Sequence, residues 1–191
     1  MMPYQKEELI DRILTIELTM FLNVRTIEPA LCQEHPEEFR RNRKAQFFTW
    51  SEKTLSSYLD DLMSANEKGK NLMTMKYARM GNQIPCLNDD PLIEKIIEIQ
   101  IAWQKEIFAR YPHLMSGARA IESRQDTDLY TSFESYLRGE LETYSSNTLH
   151  LLYEDILHYL DNNQSMNERL YDSLVKELGY NSLDEAEKAA E

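Results

Sequence analysis

Apolar residues in this chain recur at intervals of three and four, and that spacing limits the fold more than any other feature. Over residues 6–25, Leu9, Ile10, Ile13, Leu14, Met20, Phe21 and Val24 share one face of an amphipathic helix. Five Gly and six Pro in 191 residues are too few for a sandwich or barrel, which turns roughly every eight to twelve residues, and no stretch alternates strictly. The expected fold class is therefore all-α, an irregular or orthogonal bundle of about six or seven helices.

The same spacing predicts a second helix over 43–67, with Phe47, Trp50, Tyr58, Leu62 and Ala65 on its stripe and Gly69 beyond its end. Pro29 and Pro36 bracket the loop before it. A short helix follows over 71–80. Asp90 and Pro91 then open a helix to residue 110, striped by Ile93, Ile96, Ile97, Trp103 and Ile107 and stopped by Pro112. Further helices are predicted over 128–145, 147–161 and 166–178, and residues 182–191 read as a capped, acidic, Ala-rich final turn or two that is expected to fray. No repeat or long linker divides residues 1–191, so one helical domain is expected.

Thirty-three acidic against 21 basic side chains give a net charge of −12, which disfavours nucleic acid as a partner because a phosphate backbone needs a clustered positive surface. The run Arg40, Arg41, Arg43 and Lys44 is the local exception and reads as a solvated face. Cys32 and Cys86 have no metal or redox spacing, so free thiols are expected. Residues 1–11 already carry Glu7, Glu8 and Asp11, so neither a signal peptide nor a membrane span is expected, and a cytoplasmic location is the default.

No phosphate loop, nucleophile elbow or zinc helix occurs in the sequence. His150, Glu154 and His158 share a helix face, but Leu149, Leu152, Tyr153, Ile156 and Leu160 read as the buried stripe of that helix, so the row should face water; neither a metal nor a cofactor is expected. Polar residues set into apolar stripes say more. Glu17 lies one turn from Ile13 and from Phe21, Asp61 sits beside Leu62, and Gln100 lies between Ile96 and Trp103. A carboxylate so placed needs a cation or several donors. Lys76, Arg79 and Arg138 are the candidate cations, with Arg79 or Arg138 the expected partner of a buried Glu17. In the helix over 128–145, Tyr130, Phe133, Leu137, Leu141 and Tyr144 form the stripe, Glu134, Arg138 and Glu142 a flank, and Glu140 with Tyr136 a third side. Gly139 in its middle suggests close approach of a neighbour.

Over nearly its whole length the chain resembles a bacterial family described only as a domain of unknown function, number four-one-two-five. The resemblance rests on Glu17 with Met20-Phe21, on Cys32-Gln33, on Arg43, Gln46 and Trp50, and on Tyr58 with Asp61-Leu62. It continues through Asn71-Leu72, the run Lys76-Tyr77-Ala78-Arg79-Met80, Gln100 with Trp103, Tyr111-Pro112 and Arg119. Its most specific block is Thr131-Ser132-Phe133-Glu134-Ser135-Tyr136-Leu137-Arg138-Gly139-Glu140-Leu141, followed by Thr143-Tyr144-Ser145, and Gly179-Tyr180 with Ser182-Leu183 closes it. Ala45, Met75 and Ser135 depart from the family pattern, where Ser, Glu and Thr are expected. The family implies no activity. Domains similar to it occur joined to a nucleotidyltransferase-like domain, which implies a helper or substrate-binding role beside such an enzyme.

Three functions are compatible with these residues. The first is a binding module for a small polar or phosphorylated metabolite: Lys76, Arg79 and Arg138 would hold an anion, Tyr77 and Trp103 would form walls, Glu17 and Asp61 would orient the cations, and Gln100 belongs to the same set. The second is a hydrolase with Glu134 or Glu140 as general base next to Arg138. The third is an interaction domain with a purely structural polar network, in which a homodimer is open.

Overall fold

A computed structural model of the chain describes residues 6–24, 36–127 and 129–191. Among these residues there are nine α-helices and no strand: α1 (Lys6–Leu22), α2 (Pro36–Phe48), α3 (Glu52–Glu67), α4 (Leu72–Met80), α5 (Leu92–Arg110), α6 (Phe133–Leu141), α7 (Ser146–Asp161), α8 (Met166–Glu177) and α9 (Leu183–Ala190). The all-α expectation holds, with more and shorter helices than the pattern suggested. Cys32 and Pro29 lie outside the described residues; Cys86 is a free, exposed thiol. Among the described residues no helix is long and apolar enough to cross a membrane.

Two predicted helices are broken for local reasons. The helix expected over 43–67 is two: α2 already begins at Pro36, and the chain turns at Thr49 and Trp50. There Ser51 Oγ accepts from the Thr54 N–H, while Asp155 of α7 accepts from both the Ser51 N–H and the Thr54 hydroxyl, so α3 starts afresh. The helix expected over 128–145 is only α6. Ser132 Oγ caps it by accepting from the Ser135 N–H, and the N–H groups of Phe133 and Glu134 are taken by the carbonyls of Ala120 and Ile121. With those donors already satisfied, an earlier helical turn has nothing to add. Tyr130 therefore lies ahead of the helix and is 76% exposed, not part of a buried stripe. Leu160, also expected inside, is 39% exposed.

Helix α1 packs on α2, α3 and α4, α3 on α7, α4 on α6, and α5 on α6, α7 and α8. Their apolar faces make one large core, with Phe21, Phe47, Tyr58, Leu62, Ile96, Leu141 and Leu149 among its buried members. A smaller cluster of Ile107, Tyr111, Met115, Val175, Leu183 and Ala186 seats helix α9. Glu187 of α9 accepts from the backbone N–H groups of His113 and Leu114.

Gly139 sets how closely α4 and α6 approach. A Cβ there would lie 2.8 Å from Met80 Cγ and 3.1 Å from the Lys76 carbonyl oxygen. The Met80 side chain can yield, but the carbonyl belongs to helix α4. Alanine would gain about 1 kcal/mol of helix propensity, against an overpacking cost of about 1–3 kcal/mol. Gly139→Ala should therefore lower stability by about 1 kcal/mol in denaturant unfolding, where an isolated helix would show a gain.

Candidate functional site

Arg43 is the residue that sequence reasoning placed wrongly. Because α2 begins at Pro36, Arg43 lies mid-helix, one turn before Phe47 and two before Trp50, and turns inward while Lys44 stays exposed. The solvated-face reading fails at this one position of the basic run. Its side chain is 3% exposed and sits 4.7 Å from the Phe47 ring centroid.

Around Arg43 the structure assembles a closed ionic network. Arg43 Nε and Nη2 donate to the two oxygens of Glu17 at 2.8 and 2.6 Å, and Nη1 donates to both oxygens of Glu140 at 2.8 and 2.9 Å. Lys76 Nζ donates to Glu140 at 2.5 Å and lies 3.6 Å from the centroid of the Tyr136 ring. Tyr58 donates to Glu17 at 2.6 Å and Tyr144 to Glu140 at 2.5 Å. Gln46 accepts from Arg43 at 2.7 Å and donates to Glu140 at 3.0 Å. The two acids and two bases balance, and among the described residues no buried side-chain polar atom lacks a partner. Burial opposes the charge on Glu140, yet Arg43 and Lys76 carry its pKa well below the usual carboxylate range. Burial likewise opposes Arg43, but Glu140 and Glu17 hold its pKa well above the ordinary value. Burial, with the neighbouring carboxylates, keeps Tyr58 and Tyr144 protonated.

The expected site residues divide. Glu17, Lys76 and Glu140 meet in the network; Glu17 is fully buried as expected, but its cation is Arg43, not Arg79 or Arg138. Arg79 pairs with Glu142 at 2.7 Å, and Arg138 makes a two-pronged contact with Glu94 and lies 3.7 Å from Glu134. Neither is free to hold an anion. Asp61 accepts from the Ser145 N–H and the Thr148 hydroxyl, which fixes α3 to the start of α7. Tyr77 packs near Phe21, and Trp103 is core against Tyr159, so neither forms the expected wall. Glu134 accepts from the Ser123 N–H at the surface. The general-base reading suffers accordingly: Glu140 is clamped, its basicity is lowered, and Arg138 is not beside it. His150, Glu154 and His158 stand on the exposed face of α7.

Beside the network lies a partly open cavity of about 100 Å³ between α2, α5, α6 and α8. Gln46, Glu140 and Tyr144 join it to the network, and Trp50, Phe133 and Tyr136 give it aromatic walls. Its far wall holds a polar ladder that sequence reasoning caught only at Gln100. Gln104 Nε2 donates to the Tyr171 oxygen at 2.8 Å, and Asn167 Nδ2 donates to Gln104 Oε1 at 2.9 Å and to the Gln100 carbonyl at 3.3 Å. Asn167 and Tyr171 stand four apart on α8, as Gln100 and Gln104 do on α5, and that matched spacing was the signal to be found. Among the described residues the Gln100 amide itself reaches only the Met166 sulfur, at 4.0 Å.

Fold and site together define an all-helical protein organised on a buried four-charge network with a small cavity beside it. Residues 7–188 match the family described as "Protein of unknown function (DUF4125)", and the chain belongs to that family. No curated protein and no solved structure matches the chain.

Two predictions follow from the network's burial. Glu17→Ala strands the Arg43 guanidinium away from water and should cost about 3–5 kcal/mol in denaturant unfolding; a loss near that of an exposed ion pair would contradict this geometry. The Glu140 carboxyl is held below its ordinary 4.5 in the folded chain. As pH falls through that value the unfolded chain binds the proton first, so this contribution is full at neutral pH and lost on acidification. Glu140→Gln should be less stable than wild type at neutral pH, and the gap should narrow from about pH 6 to about pH 3; a gap independent of pH would count against it.

Proposed function

We propose that the protein is a binding module whose cavity takes a small, uncharged polar molecule. One observation carries this reading: among the described residues the half-buried Gln100 amide, on the lining of the cavity, has only a thioether sulfur 4.0 Å away as a hydrogen-bond partner. A polar group left so weakly bound calls for an explanation, and a ligand supplies one.

The charge of the ligand follows from the wall. Among the described residues no Lys, Arg or His lines the cavity, and the one ionised group that does is Glu140. A phosphate would meet a carboxylate there, with Lys76 and Arg43 already committed to it. This favours the polar version of the metabolite reading over the phosphorylated one. Size points the same way, since sites for drug-sized ligands run to about 300–1,000 Å³. In the helper role that the family resemblance implies beside a nucleotidyltransferase-like enzyme, such a module would hold an uncharged acceptor, not the nucleotide.

Thermal unfolding against a panel of small amides, alcohols and single-ring heterocycles, alongside inorganic phosphate and sugar phosphates, tests this. At about 100 times its dissociation constant a bound compound adds about 2.7 kcal/mol. Neutral compounds should raise the midpoint and phosphates should not, and Gln100→Leu should keep its own midpoint while losing the response. Protection by phosphates alone would refute the proposal.

A further inference from the structure

The hydrogen-bonding pattern of the cavity's far wall narrows the ligand further, on the footing of the binding reading above. Asn167 Nδ2 donates to the Gln100 backbone carbonyl and Gln104 Oε1, both acceptors, and no described residue donates to Asn167 Oδ1; since no fully buried side-chain polar atom among the described residues is left without a partner, that oxygen opens onto the cavity space. Tyr171 accepts from Gln104 through its oxygen, so its own O–H proton has no acceptor among the described residues; burial keeps the phenol protonated. The Gln100 carboxamide offers an acceptor and a donor side by side. All three side chains line the cavity. The wall thus presents two acceptor sites, from Asn167 and Gln100, and two donor sites, from Tyr171 and Gln100, on neighbouring turns of α5 and α8.

A ligand that answers both kinds of site from one edge needs a carbonyl and an N–H held close in one plane. A carboxamide pairs with such an edge in a two-bond ring, as Gln and Asn do with the donor and acceptor of adenine. The lining also includes the aromatic residues Trp50, Phe133, Tyr136 and Tyr144, which favour a flat π system. At about 100 Å³, the space is below the roughly 150 Å³ of an engineered apolar cavity that takes benzene, so it encloses part of a single ring and leaves the rest standing in the opening. We infer that the site recognises a single-ring cyclic amide, its adjacent C=O and N–H paired with Gln100 and its ring against the aromatic wall. Any larger substituent must leave through the opening.

Isothermal titration and ligand-observed NMR on the wild-type chain with 2-pyridone, uracil, N-methyl-2-pyridone and toluene separate the alternatives. The expected result is binding of 2-pyridone and uracil, with N-methylation or loss of both polar atoms weakening it about tenfold or more, the scale set by leaving a buried group unpaired. Gln100→Leu, checked for an unchanged unfolding midpoint, should remove the preference for 2-pyridone over its N-methyl analogue. Equal binding of all four compounds, or tightest binding of toluene, would overturn the cyclic-amide inference and leave a binding cavity. Silence from these compounds while other neutral members of the thermal panel bind would overturn it in the same way. Silence from the whole panel would remove the binding reading itself.

Discussion

A guanidinium has five N–H donors and no means of shedding its charge, so burying one commits everything around it. Arg43 spends its donors on Glu17 of α1, Glu140 of α6 and Gln46 of its own helix, and Glu140 in turn draws in Lys76 of α4. Four helices therefore converge on one set of charges. Apolar burial is non-directional, whereas a guanidinium that forks onto Glu17 through Nε and Nη2 and reaches both oxygens of Glu140 through Nη1 admits a single arrangement. The small residue at Gly139 belongs to the same constraint: it lets α6 come close enough to α4 for Glu140 and Lys76 to meet.

The cavity inherits its order from this arrangement. Gln46, Glu140 and Tyr144 each have one side in the network and one side on the cavity, so their positions are set before any ligand arrives. The opposite wall is ordered independently, through Gln104, Asn167 and Tyr171. Side chains already fixed lose little freedom on binding, and that is how a site of only a few polar groups can discriminate. The closed network fixes the helices, while the groups left over on the far wall are the ones that the proposed binding reading would use for recognition.

Much of this was legible in the sequence, and the failures have physical causes. The helical class and most helix positions followed from the three-and-four spacing, and Glu17 was visible as a carboxylate set into an apolar stripe. The breaks at Ser51 and Ser132 were not, because their deciding partners are distant: Asp155 for the first, and the carbonyls of Ala120 and Ile121 for the second. Arg43 was hidden by its neighbours, since a run of basic residues reads as one solvated face until the helix start is known. With α2 beginning at Pro36, the spacing of Arg43, Phe47 and Trp50 becomes a stripe. Gln100 stood out as a lone polar residue among apolar ones, whereas Asn167 and Tyr171 gain meaning only when α8 is laid against α5.

The order of the four charges along the chain bears on how the protein comes to be folded. Glu17, Arg43 and Lys76 leave the ribosome well before Glu140, which lies 97 residues after Arg43 and 64 after Lys76. Until that residue emerges, the nascent helices carry two cations against one carboxylate, and the excess positive charge must stay hydrated. Synthesis at about 5–20 residues per second leaves several seconds in this condition. The network can close only once α6 has been made, through contacts between residues far apart in the sequence.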